Sequence, residues 1–287
     1  MQFLEFKSRS AILILGILAC CQAFSHDRFI LPSHTVLSGD DGQMVSLVAS
    51  VSNDMFHPDR AFGDNGKGIV EPSLKGFFAT LHPQIIGPDG KIDKTNIWQA
   101  FSRFSAGDLE LKTSGTYRVA QVSLPHLITF FQKADGTRGR ISGPDPKIPE
   151  GATDIKTYLS SSRVETFVTL NKPTREALKP TGEGLEFGGD SHPNDLFANE
   201  EASFQLYYQG KPLPQPASIK VELGGTRHRN QRNPIKLETD EKGAFNITFP
   251  EAGFYLLKAS LSFPGEEGSN IEENSASLFL TLEVFPE

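Results

Sequence analysis

Of the residues able to ligate a metal or attack a substrate, the 287-residue chain has seven histidines and two cysteines. His26 is the most informative. It follows Ala23-Phe24-Ser25, a small-x-small step of the kind at which signal peptides are cut, so processing is expected to leave His26 first. A terminal histidine carries an α-amine and an imidazole on one residue. Together they can chelate one cation, and a second imidazole completes a three-nitrogen brace. Such donors suit Ni, Co, Cu or Zn. The amine titrates near about 7.7, so binding would displace a proton close to neutral pH. Asp27 and Arg28 come next, so the amino-terminal copper and nickel chelate that needs histidine in third place is excluded.

The remaining histidines are His34, His57, His82, His126, His192 and His228. None forms an HxH or HxxxH pair, so any metal site must be assembled by the fold. Two stretches offer partners for His26. His192-Pro193-Asn194-Asp195 holds an imidazole stiffened by proline, with the Asp195 carboxylate nearby; it equally fits a turn closed by a local Asx bond. Asn53-Asp54-Met55-Phe56-His57-Pro58-Asp59 concentrates two carboxylates and the His57 imidazole, and equally fits a solvated loop. The expected ligands are therefore His26 and His192, with Asp54, Asp195 and His57 as further candidates. His82 and His126, each beside a proline, are expected to mark strand ends. Gly224-Gly225-Thr226-Arg227-His228-Arg229 is too basic for a cation, but Arg227 can hold a carboxylate, of the protein or of a ligand, by a two-pronged hydrogen bond; an ordinary basic hairpin is the expectation.

No catalytic signature is present: there is no Gly-x-Ser-x-Gly elbow and no phosphate-binding loop. Cys20 and Cys21 both lie in the N-terminal segment. There, Lys7 and Arg9 precede an apolar run from Ala11 to Cys21, the pattern of a secretory leader. Export to the periplasm is expected, with lipid attachment at Cys20 as the alternative. The processed chain would have no thiol. Removing Lys7, Arg9 and Glu5 takes the net charge from −7 to −8, which disfavours nucleic acid. No later stretch is apolar and long enough for a membrane-spanning helix.

The elements that must position these residues read as strands. Val45, Leu47, Ala49 and Val51 alternate with Ser46, Val48 and Ser50, and Phe77 to Leu81 is a further apolar run. Gly115-Thr116-Tyr117 resembles the approach to a late strand of an immunoglobulin-like sandwich. Ser162 to Leu170 reads as a strand, and Thr174 as the cap of a short helix from Arg175 to Leu178. In the last third, Ala202 to Tyr208, Ala217 to Leu223, Phe245 to Phe249, Tyr255 to Leu261 and Ala276 to Val284 alternate, separated by Gly210-Lys211-Pro212-Leu213 and by a hairpin turn at Thr239 to Gly243. The expected architecture is all-β. Residues 1–25 are a leader. Residues 26–133 form an immunoglobulin-like sandwich, 134–200 an irregular connecting segment packed on the sandwiches, and 201–287 a second sandwich similar to prealbumin-like and carboxypeptidase-regulatory-like modules.

His26-Asp27-Arg28, Leu31-Pro32-Ser33-His34-Thr35-Val36-Leu37-Ser38-Gly39 and Val51-Ser52-Asn53-Asp54 resemble the start of the DUF4198 family. Ser162 to Thr169, Leu178 to Gly182, Gly184-Leu185-Glu186, His192-Pro193-Asn194-Asp195-Leu196 and Gly224-Gly225-Thr226-Arg227 continue the resemblance. It implies β-rich immunoglobulin-like domains, a histidine directly after leader cleavage, and a periplasmic component associated with nickel or cobalt transport. It adds weight to His26 and His192. His34 and His57 stand where the family pattern implies other residue types.

Three functions follow as expectations. The first is a periplasmic divalent-metal-binding protein feeding nickel or cobalt uptake, its partner a transporter or outer-membrane receptor. The second is a non-catalytic envelope module that binds a carbohydrate, a peptide or an outer-membrane partner without metal. The third is a copper-dependent oxidase built on the brace.

Overall fold

The computed structural model describes residues 26–40 and 42–287. The leader, its cleavage step and Cys20 lie outside the described residues. The first half supplies β1 (Asp27–Pro32), β2 (Val36–Leu37), β3 (Gln43–Ser52), β4 (Arg60–Ala61), the helix α1 (Pro72–Phe78), β5 (Leu81–Ile86), β6 (Ile92–Asp93), β7 (Gln99–Ala100), β8 (Ser105–Leu111) and β9 (Gly115–Gln132). The middle supplies β10 (Arg138–Ser142), β11 (Thr153–Leu170) and β12 (Leu185–Gly188). The last third supplies β13 (Glu201–Tyr208), β14 (Ser218–Leu223), β15 (Ile235–Glu238), β16 (Ala244–Thr248), β17 (Gly253–Pro264) and β18 (Ile271–Val284).

The fold is all-β, as the alternation predicts, but its two sandwiches share a sheet. A ten-stranded central sheet runs β15-β14-β17-β18-β11-β9-β5-β6, with β10 on β9 and β2 on β11. A five-stranded sheet (β1-β3-β8-β7, with β4 on β3) packs over one face, and a three-stranded sheet (β12-β13-β16) over the other. Alternation along single strands divides the two cores. Val164 and Val168 of β11 join Phe29, Leu47, Trp98 and Phe279 on one side. Phe167, between them, joins Phe187, Phe204, Tyr255 and Leu280 on the other. Successive strand side chains point to opposite faces, so a strand buried on both faces serves two cores at once.

This arrangement revises the expectation for residues 134–200. That stretch contains β10, β11 and β12, and β11 lies at the centre of the large sheet. It pairs antiparallel with β9 from Thr153 to Leu170, and parallel with β18 from Thr157 to Thr166. The segment expected to connect two domains is the strand that fuses them. Other differences are local. Residues 72–78, which overlap the apolar run, are helical because Pro72 sits in the first turn, where its missing N–H costs nothing. The short helix near Arg175 is one tight turn, Glu176–Leu178. His126 lies inside β9 rather than at its end. The turn at Asp240–Gly243 is tight, with the Gly243 N–H on the Asp240 carbonyl. Yet it joins β15 of the central sheet to β16 of the small one, so it is no hairpin.

The immunoglobulin-like character appears twice. The Tyr117 hydroxyl donates to the Thr113 carbonyl (2.9 Å) and accepts from the Thr113 N–H (2.9 Å). The Tyr255 hydroxyl does the same with Glu251, at 2.8 and 3.3 Å. Each follows a Gly-x-Tyr step whose glycine has positive φ, 132° at Gly115 and 141° at Gly253, a conformation that disfavours side chains. This is the tyrosine corner of immunoglobulin-like sandwiches.

Candidate functional site

His26 immediately precedes β1 and is exposed. Antiparallel pairing sets Asp27 opposite Ser52, which brings His26 beside the loop following β3. Its Nδ1 lies 2.7 Å from Asn53 Oδ1. The loop is wound around the buried Ser52, whose hydroxyl donates to the Asp54 carbonyl (2.6 Å) and contacts the His57 carbonyl. The His57 N–H closes the turn on the Asp54 carbonyl (3.0 Å). This pairing therefore sets His26 beside the loop that holds Asp54 and His57.

Asp54 is already committed there. It accepts from the Thr226 hydroxyl and from Arg227 Nε (2.8 Å), and Arg232 Nη2 lies 3.6 Å away. The Thr226 hydrogen bond, then the arginine, hold its carboxyl below the usual range. The basic stretch at 224–229 forms a tight turn, Thr226–His228, rather than a hairpin, and Arg227 holds a carboxylate of the protein itself. Asp59 is likewise held low, chiefly by the Asn53 N–H, with Arg103 4.0 Å away. These arginines make Asp54 a poor cation ligand. Among the described residues the His57 ring enters no hydrogen bond at this end, and the His26 ring is held through Nδ1 alone, by Asn53.

His192 and Asp195 lie elsewhere. The Arg28 guanidinium reaches Ser162 of β11 (2.8 Å), while the Thr35 carbonyl accepts from the Thr169 N–H (2.7 Å). The same seven-residue step along both segments, at about 3.3 Å per residue, separates those levels by roughly 23 Å. His192 sits at the Thr169 level, beyond any shared coordination sphere with His26. It is buried, and both ring nitrogens are used. Nδ1 accepts from the Asn194 N–H (3.1 Å); Nε2 faces Thr116 Oγ1 (3.0 Å) and the Thr174 carbonyl (3.2 Å). A carbonyl only accepts, so Nε2 carries the proton and the ring is neutral. Burial, the largest effect, lowers its pKa; the Thr174 carbonyl, next in size, opposes it, Arg175 adds to the lowering, and Asp195 opposes it least. Thr116, Thr169 and Asn194 extend the network: Thr169 Oγ1 contacts Thr116 Oγ1 (2.9 Å) and donates to Asn194 Oδ1 (2.9 Å). The expected turn is present, with the Asp195 N–H on the His192 carbonyl (3.0 Å). The structure thus makes His192 a structural clasp between β9, β11 and the 190–195 loop. Asp195 is exposed and lines a small cleft with Arg175, Asp190 and Glu200.

Sequence reasoning missed the main charge cluster. Arg118, Arg163, Glu165 and Glu186 are fully buried between the central and three-stranded sheets. Arg118 grips Glu165 with two bonds, 2.7 and 3.1 Å. Arg163 lies 3.4 Å from both Glu165 and Glu186. Glu186 also accepts from Thr181 and Gly182 (2.7–2.8 Å). Arg163 and Glu165 alternate with apolar Val164 and so share a face; that period was the available signal. Among the described residues no group of three or more His, Cys, Asp and Glu side chains is placed to hold a metal ion. A brace, however, needs only two histidines and the terminal amine.

No curated protein matches the sequence. Among solved structures, a mutant of Salmonella alpha-2-macroglobulin aligns over 89% of this chain and 15% of its own, at 12% identity and a TM-score of 0.23. Escherichia coli alpha-2-macroglobulin activated by porcine elastase aligns over 91% and 31%, at 10% identity and 0.22. A DUF3823 family protein from Bacteroides uniformis aligns over 90% and 99%, at 10% identity and 0.21. The chain therefore spans less than a third of the length of those macroglobulin chains. The domain of unknown function DUF4198 matches residues 23–262, most of the sequence, and the chain belongs to that family.

Proposed function

We propose that this is an exported protein that binds a divalent transition metal through His26. The α-amine and imidazole of the processed terminus form the chelate, and His57 supplies the second imidazole. The observation that carries this reading is the pairing of Asp27 with Ser52, which presents an exposed His26 to the loop that holds His57. The donor set is nitrogen-rich and suits Ni, Co, Cu or Zn. His192 and Asp195 have no part in it, and Asp54 contributes only by holding the Arg227 turn against the loop. Delivery to a nickel or cobalt transporter or an outer-membrane receptor is the corresponding role in the periplasm.

The test is calorimetric titration of Ni, Co, Cu and Zn into the chain beginning at His26, and into one carrying a single extra residue before it. Blocking the amine should weaken binding by about tenfold or more, ~1.4 kcal/mol. Equal affinity of the two forms, or no binding by either, overturns the brace.

A further inference from the structure

Strand register draws seven serines and His126 into two rows across the central sheet. Ser260 of β17, Ser277 of β18, Ser162 of β11 and Ser123 of β9 stand opposite one another. Ser262, Ser275, Ser160 and His126 form the next row on the same strands. With strands about 4.8 Å apart, four positions span roughly 14 Å. Both rows continue the face that bears Phe279 and Val164, beyond the end of that core. Apart from Ser123 these serines are half-buried or exposed. Serine is not a residue that strands favour, and neither core uses these.

Arg28 projects over the first row. Its Nη1 donates to Ser162 Oγ at 2.8 Å. Its guanidinium carbon lies 5.7–6.0 Å from the ring centroids of Phe62, Phe77 and Phe279. Neighbouring Asp27 pairs with Lys258 instead, and Arg28 enters none of the ion pairs among the described residues. Burial, and then Arg140 of β10, lower its pKa. Three aromatic rings pack around the guanidinium, but its in-plane N–H donors need acceptors, and one serine oxygen supplies only one. A packed cation without a carboxylate carries a desolvation cost that an incoming oxyanion would relieve. Glu273, opposite Tyr158, and the Lys258–Asp27 pair mark the limits of the uncharged floor.

We propose that Arg28 and the two serine rows bind an acidic glycan, with a sugar carboxylate on Arg28 and sugar hydroxyls along the serines. The length of the floor favours an oligomer over a single small anion. This surface works without the His26 chelate, so its test is run in chelator.

The probe is a uronic-acid hexasaccharide, titrated calorimetrically in EDTA against a neutral glucose hexasaccharide and against inorganic phosphate. The acidic hexamer should bind and lose affinity as salt rises. The neutral hexamer and phosphate should each bind at least about tenfold more weakly. Arg28→Gln should weaken the acidic hexamer about tenfold or more. Ser275→Tyr, outside both cores, should obstruct the floor while leaving the thermal midpoint of the protein in place, so it decides the matter even where Arg28→Gln fails to fold. No binding by the parent, equal binding of phosphate or the neutral hexamer, or full affinity in Ser275→Tyr would each overturn the proposal.

Discussion

The two histidine loops lie at opposite ends of the contact between β1 and β11, and they differ in what their ring nitrogens already do. At His192 every polar atom has a partner: Nδ1 takes the Asn194 N–H, and Nε2 faces Thr116 and Thr174. At the other end His26 is exposed, its ring hydrogen-bonded to Asn53 Oδ1 alone among the described residues, and the loop beside it is closed by backbone and by Ser52, leaving the His57 ring out of the bonds that shape it. A buried imidazole with both nitrogens occupied fastens a fold, whereas one left open can take a ligand. Both loops contain His, Asp and Pro, so composition alone did not separate them.

The largest effect should come from the ionic cluster in the sheet between the loops. Glu165→Ala leaves two buried guanidiniums short of their carboxylate, which typically costs about 3–5 kcal/mol. Urea unfolding should show that loss, or outright failure to fold. A loss below about 1 kcal/mol would mean that the cluster does not hold β9 to β11 as described.

His192→Ala should come next, at about 2–3 kcal/mol, because Asn194, Thr116 and Thr174 lose a buried partner. The same histidine sets a pH dependence. Its folded pKa is lowered, so the unfolded chain binds the proton more readily. Its stabilisation is complete above about 6.5 and declines as pH falls through that value, with a slope of at most ~1.4 kcal/mol per unit. Protonation would turn Nδ1 into a donor facing the Asn194 N–H. Urea midpoints of the parent against His192→Gln between pH 7.5 and 5 should diverge least at the acid end; a constant gap would show that His192 does not titrate in this way.

Tyr117→Phe and Tyr255→Phe each remove one corner and should cost about 1 kcal/mol apiece. Equal losses would mark the two sandwiches as energetic equivalents, while a large loss at one alone would locate the weaker core. His57→Ala should be the smallest perturbation, within about 0.5 kcal/mol in stability. If His57 completes the brace, it should nonetheless weaken metal binding by about tenfold. A stability loss matching that of His192→Ala would erase the distinction between the loops.

Much of the fold was legible where the alternation was clean. Val45 to Val51 and Ala202 to Tyr208 have one face buried, so period two reveals them. β11 was half visible. Ser162 to Leu170 read as a strand, but its outer half, Thr153 to Ser161, carries exposed polar residues whose place in the sheet is set by β9 and β18. The sequence allows Arg227 to hold a carboxylate but points to an ordinary basic hairpin; the structure supplies Asp54 as the carboxylate, on a tight turn. Arg118, Arg163, Glu165 and Glu186 escaped notice because charged residues in a strand normally signal solvent, and only their mutual pairing makes burial tolerable.

The sequence by itself determined the all-β class, the strand approach at Gly115-Thr116-Tyr117 and the family, since these depend on local period, turn chemistry and short motifs. Which histidines meet was decided by the tertiary structure alone. Convergence depends on strand register and on the seven residues that separate Ser162 from Thr169 along β11, and neither is encoded in the spacing of the histidines. The same holds for the shared central sheet: a strand can serve two cores only once partners on both faces are present.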